Sequence, residues 1–107
     1  MPKLANTIVR KLKKNCPLQT KIRIKYTSLV DQNVCGLCSA YLDKNNNLIR
    51  FLLQIERDLD GQALLDTLLH EWAHALDIER NGLGREPHRN SWGIAYAQVW
   101  RAYMQSS

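Results

Sequence analysis

Leu64-Leu65-Asp66-Thr67-Leu68-Leu69-His70-Glu71-Trp72-Ala73-His74 decides how this chain is read: two imidazoles one helical turn apart, with a carboxylate beside the first, sit inside an apolar run of helical period. At about 100° per residue, with His70 as zero, His74 falls near 40° and Glu71 near 100°, whereas Leu65, Leu68, Leu69, Trp72 and Leu76 gather near 160–260°. One arc carries chemistry and the opposite arc packs. Asp60-Gly61 offers an N-cap before this run, and Asn81-Gly82-Leu83 offers a C′ glycine followed by an apolar residue, so the spacing predicts a helix of about five turns. His-Glu-x-x-His inside such a helix is the pattern of a zinc site with its own base.

The chain has three histidines, and the last, His88, follows fourteen residues after His74 across a glycine-containing bend. Three imidazoles at one ion of the catalytic type leave the fourth position open for water. Other third ligands are weaker. The metzincin pattern asks for glycine and histidine where Asp77 and Arg80 stand. A glutamate from a later helix has no candidate, since residues 89–107 contain no acid. Glu79 projects away from the histidines, and Glu86 precedes Pro87 two residues from the better-suited imidazole of His88. The reading is therefore one Zn2+ per chain on His70, His74 and His88, with Glu71 catalytic.

Cys35-Gly36-Leu37-Cys38-Ser39, the run Leu64 to His74, and His88-Arg89-Asn90-Ser91-Trp92 together resemble the SprT-like family of metallopeptidases, which includes the Spartan proteases. The family pattern is an apolar helix ending in the two-histidine motif, a third histidine about fifteen residues on, and an aromatic residue four beyond it; His88 and Trp92 match that last pair. The resemblance covers residues 34–92. It implies a zinc-dependent peptidase fold in which His70, His74 and His88 bind metal and Glu71 is catalytic. Eukaryotic relatives cleave proteins crosslinked to DNA. Many members carry a zinc ribbon or DNA-binding tails after the core, and here fifteen residues follow Trp92, so a minimal core without the ribbon is expected.

The rest of the chain supplies the scaffold. Leu4, Ile8, Val9 and Leu12 recur at helical spacing, predicting a helix over 4–15 that ends before Pro17. Lys21-Ile22-Arg23-Ile24-Lys25-Tyr26 alternates strictly and predicts a strand with one basic and one apolar face. Residues 34–42 and 48–56 read as two further strands joined as a hairpin through Lys44-Asn45-Asn46-Asn47. Trp92, Ala95, Tyr96, Val99, Trp100 and Tyr103 trace an apolar stripe through a closing helix that starts near Asn90 or Ser91. The expected fold is α+β: N-terminal helix, small three-stranded sheet, metal helix, closing helix, all in one domain over residues 1–107. Zinc peptidases of this build commonly lay substrate along an edge strand, and the strand carrying Leu48 to Ile55 is the candidate.

Length and apolar content, 107 residues and 45%, suit one modest core. No run reaches membrane-spanning length and residues 1–14 lack an apolar signal core, so a cytoplasmic chain with no membrane partner is expected. Three cysteines without an export signal argue for reduced thiols. Cys35 and Cys38 have the spacing of half a zinc ribbon with no second pair, and read as two small residues of a strand.

In the expected mechanism Glu71 takes the proton from water at the open metal position and passes it to the leaving amine. Asp66 and Asp77 project near His70 and are read either as residues that orient an imidazole or as surface carboxylates. Tyr96, Tyr103, Tyr41 and Arg89 are the available donors to a tetrahedral oxyanion. The expected partner is a protein or peptide substrate. Charge adds another: residues 1–30 hold eight Lys or Arg and no acid, leaving residues 31–107 at −3 within a net +5. That end is either a solvated basic surface or a face for nucleic acid involving Lys11, Lys13 and Lys14, although no aromatic residues interleave with its lysines. The competing function is thus a zinc-stabilised nucleic-acid-binding or interaction module without peptidase activity. A metal-dependent endoribonuclease is the third, and the sequence counts against it, since its usual histidine spacing would need a ligand near Arg80.

Overall fold

The computed structural model describes residues 3–84 and 88–105. Its first helix, α1 (Lys3–Asn15), buries Ala5, Ile8 and Leu12 and leaves Leu4 outside the stripe. Three strands follow, β1 (Lys21–Thr27), β2 (Gly36–Leu42) and β3 (Leu48–Glu56), with a single 3-10 turn at Val30–Gln32 between the first two. The motif helix α2 (Gly61–Asn81) and the closing helix α3 (Asn90–Met104) complete an α+β fold. No helix among the described residues is long and apolar enough to cross a membrane.

The sheet is mixed, in the order β1-β3-β2. β2 and β3 form the expected antiparallel hairpin, and β1 pairs with β3 in parallel. The hairpin turn is built by Asp43, whose Oδ1 accepts the backbone N–H groups of Asn45 and Asn47 at 2.8 and 2.9 Å, while Asn46 takes the left-handed conformation at φ 66°. One correction follows from the strand order. β3, expected to be the edge that receives substrate, is the central strand with both sides paired; β1 and β2 are the edges. Its density of large apolar residues explains the placement: Phe51, Leu53 and Ile55 are fully buried on one face.

Alternation divides the sheet into two unlike faces. The inner face carries three cross-strand rows, Ile22-Phe51-Ala40, Ile24-Leu53-Cys38 and Tyr26-Ile55-Gly36. Against it lies α2, which contacts β2 and β3, with α1 and α3 packed on α2. Leu64, Leu68, Leu69, Trp72 and Leu76 of α2 join Leu53, Ile55, Ile8, Leu12, Ala95 and Val99 in one apolar cluster. Inside the motif itself, Trp72 is fully buried and its indole Nε1 donates to the carbonyl of Cys16 at 3.0 Å, which fixes α2 to the end of α1.

Both ends of α2 depart from or follow the local signals in instructive ways. Asp60 occupies the N-cap position, but its side chain makes no capping hydrogen bond; its carbonyl accepts Leu64 N–H at 3.2 Å, and Gly61 adopts φ 52°. At the other end Gly82, at φ 78°, returns its N–H to Ile78 as a C′ glycine does.

Candidate metal centre

The helix places His70 and His74 on one side, one turn apart, and the start of α3 brings His88 back to them. Nε2 of His70 lies 3.1 Å from Nε2 of His74 and 3.1 Å from Nε2 of His88. Three nitrogens each at roughly 2.0–2.1 Å from one ion in a tetrahedral arrangement would stand about 3.3 Å apart, so the spacing is that of ligands around a common centre. The three rings are close enough to hold one metal ion, and among the described residues no fourth metal-ligating side chain joins them. Trp92 floors the cluster, with ring centroids 4.9, 5.4 and 4.7 Å from His70, His74 and His88, and is itself stacked on Tyr96 at 4.8 Å.

Electrostatics favour neutral, metal-ready rings. Burial lowers the His74 pKa to about 4, with the neighbouring His70 and His88 lowering it further and Asp77 opposing. His70 is lowered for the same first reason, burial, and then by His88. A neutral imidazole presents the lone pair that a divalent cation needs.

Glu71 is 6% exposed, and its Oε2 lies 4.0 Å from His70 Nε2. Desolvation raises its pKa from the ordinary 4.5 to about 7. The neighbour responsible for much of this enclosure is strand β2. A Cβ built on Gly36 would stand 2.8 Å from Thr67 Cγ2, 2.9 Å from Glu71 Cγ and 3.0 Å from Glu71 Oε2, so only glycine lets the strand lie against the carboxylate. Cys38, next on the same face, has its thiol pushed up to about 12 by burial and by the nearby Glu71 charge. Cys35 falls just before β2 rather than within the strand, and all three thiols are free.

The raised Glu71 pKa sets a pH dependence for the metal-free fold. Below pH 4.5 the carboxyl is neutral in both folded and unfolded chains and its burial is unopposed; as pH rises through 4.5 to about 7 the unfolded chain ionises first and stability is lost, by about 3 kcal/mol. Glu71→Gln removes this titration. In chelator, denaturant unfolding is expected to show the variant more stable than the parent by about 2–3 kcal/mol at pH 8, with the gap closing near pH 4.5. The histidines titrate in both proteins and cancel. Equal stabilities at pH 8 would mean that the carboxylate is solvated.

Beside His88 stands a partly buried ion pair. Arg89 Nε donates to Asp77 Oδ2 at 3.0 Å, and Asn81 Nδ2 donates to Asp77 Oδ1 at 2.9 Å. Asp77 is 3% exposed; burial opposes its ionisation, yet hydrogen bonds from Ser91, Asn81 and Arg89 outweigh that and hold its pKa below the usual aspartate value. Of the two carboxylates expected near His70, Asp77 therefore acts on the loop and the start of α3. Asp66 is a surface residue that accepts Gln62 Nε2 at 2.7 Å.

The remaining candidates sort cleanly. Glu79 accepts the backbone N–H of Thr20 at 2.7 Å and ties α2 to the segment before β1, away from the imidazoles. Glu86 lies outside the described residues. Tyr41 sits on the outer sheet face beneath Arg50, and Tyr103 lies beneath Lys11. Arg89 lines the cleft with its guanidinium engaged on Asp77, which leaves Tyr96 as the cleft-wall phenol without a hydrogen bond among the described residues. That cleft, about 880 Å3, opens onto His70, His74, His88 and Glu71 and is walled by residues 34–38 at the start of β2. Comparison with protein-family models, with curated proteins and with solved structures finds no match.

Proposed function

We propose that this chain is a zinc-dependent endopeptidase of the SprT-like kind. The observation that carries the reading is a buried carboxylate, Glu71, whose Oε2 lies 4.0 Å from an imidazole nitrogen of a three-histidine cluster that faces an open cleft. Three nitrogen donors fit zinc, and a set of three leaves the open coordination position that distinguishes catalytic from structural sites. His70, His74 and His88 would hold the ion. When bound there, zinc supplies Lewis acidity toward a scissile carbonyl and makes water acidic enough to deprotonate near neutral pH.

The protein's own groups do the rest. Glu71, buried beside the imidazoles at the cleft, accepts a proton from the attacking water on its carboxylate and releases it to the departing amine. Tyr96, in the cleft wall, donates its phenol to the developing oxyanion. β2 replaces β3 as the docking strand. Its outer edge is unpaired and its first residues wall the cleft, so an extended peptide adding to it would pass in front of Glu71.

The direct test incubates the zinc-loaded protein with a reduced, alkylated protein substrate and follows internal cleavage by mass spectrometry. Cleavage is expected with zinc, is abolished by chelator and returns on adding zinc back. Tyr96→Phe is expected to lower kcat by about 100-fold with KM little changed. Stoichiometric zinc with no cleavage would instead favour a binding module built around the ion.

A further inference from the structure

The outer face of the sheet is a three-by-three grid whose chemistry the metal centre does not use. Register places Lys21, Arg50 and Tyr41 in one cross-strand row, Arg23, Leu52 and Ser39 in the next, and Lys25, Gln54 and Leu37 in the third. Lys21, Arg23, Lys25, Arg50 and Tyr41 are exposed, and the helices lie against the opposite face. None of these nine positions is acidic; Glu56, which follows on the same face of β3 opposite Thr27, has its carboxylate engaged by the backbone N–H groups of Leu29 and Asp58 at 2.8 and 3.0 Å. Asp43, in the adjoining turn, has its carboxylate engaged by Asn45 and Asn47.

Tyr26, the aromatic neighbour of Lys25 in the sequence, belongs to the inner-face row, but the hairpin supplies an aromatic residue on the outer face. The Arg50 guanidinium lies 4.5 Å over the ring of Tyr41, which remains 37% exposed, so the two form an exposed cation and aromatic plate, one group over the other, at the end of the grid. Lys21, Arg23 and Lys25 project from the same strand face at intervals of about 6.6 Å, in line with that plate. The positive surface continues into a concavity of about 510 Å3, lined by Lys13, Lys21, Arg23 and Arg50 and by no acidic residue. Lys11, by contrast, is engaged over Tyr103.

We propose that this outer sheet face binds single-stranded nucleic acid, with phosphates on Lys21, Arg23, Lys25 and Arg50 and a base stacked against the Tyr41 and Arg50 plate. The complement of a row of spaced cations is a polyanion, and an exposed aromatic plate selects a polyanion with unpaired planar groups. A duplex buries those groups. The sheet also offers no projecting helix for a major groove. The inference does not rest on the peptidase reading, because none of these residues belongs to the metal cleft; oligonucleotide binding by a catalytically silent protein would leave it standing.

The test is fluorescence anisotropy of a short labelled oligothymidine with the zinc-loaded protein between about 50 and 200 mM salt. Binding is expected to weaken with a slope of log affinity on log salt of about −3, as four neutralised phosphates on a single strand require. Lys21→Glu with Arg23→Glu should weaken binding at least about tenfold. Tyr41→Ala should cost about 5- to 150-fold, the loss of one stacked base, while Tyr41→Phe retains it. Arg101→Glu, on α3 behind the sheet, is the charge control and should change binding less than about twofold. Circular dichroism confirms folding, and Lys21→Gln with Arg23→Gln carries the same comparison if charge reversal impairs it. Equal affinity for a duplex of the same length, indifference to Tyr41→Ala, or capture by phosphatidylserine vesicles in place of the oligonucleotide would each overturn the proposal.

Discussion

Glu71→Gln is expected to keep the fold and one zinc per chain while cleaving an unfolded protein at least about a thousandfold more slowly than the parent, within the range that a positioned general base contributes. The substitution is close to isosteric, which matters because Gly36 leaves no slack around the side chain. What changes is proton affinity. An amide cannot accept the proton that the Glu71 carboxylate takes from the attacking water. Zinc content and the unfolding midpoint measured on the same sample separate this loss from a loss of structure. Unchanged cleavage would remove Glu71 from the chemistry and leave the peptidase reading without its base.

His88→Ala is expected to lose zinc with little loss of fold. His88 is exposed at the start of the segment that leads into α3, and Arg89 remains clamped on Asp77 without it. Its removal takes away one of three donors and leaves two. The fall in zinc affinity should exceed the about 10–100-fold that follows loss of a ligand's supporting partner, and metal analysis after dialysis should return well below one zinc per chain. Because His70 Nε2 stands 3.1 Å from both His74 Nε2 and His88 Nε2, full occupancy in the variant would require a donor that the described residues do not place there.

Much of this was readable from local pattern because local physics decides it. His70 and His74 share a helix face through the four-residue spacing alone, and on the opposite arc Leu68, Leu69 and Leu76 are buried as their angles require, with Leu65 partly so. Gly82 ends α2 because a left-handed φ suits glycine. What could not be read is set by contacts distant in sequence. The turn signal at Lys44-Asn45-Asn46-Asn47 marks residues 48–56 as a strand of a hairpin but says nothing of a second neighbour, so the central position of β3 emerged only from the parallel pairing of β1. The Asp77 and Arg89 pair joins a helix to the residue after His88, and neither residue has a spacing that announces the other. Arg50 and Tyr41 likewise become a plate only through the hairpin register.

Gly36 carries a consequence beyond access. Since the strand backbone, not another side chain, seals the carboxylate on that side, the acidity of Glu71 is governed by how far a β-edge sits from a helix. A strand movement large enough to let a water molecule reach the carboxylate would lower its pKa back toward 4.5, whereas closer packing would raise it.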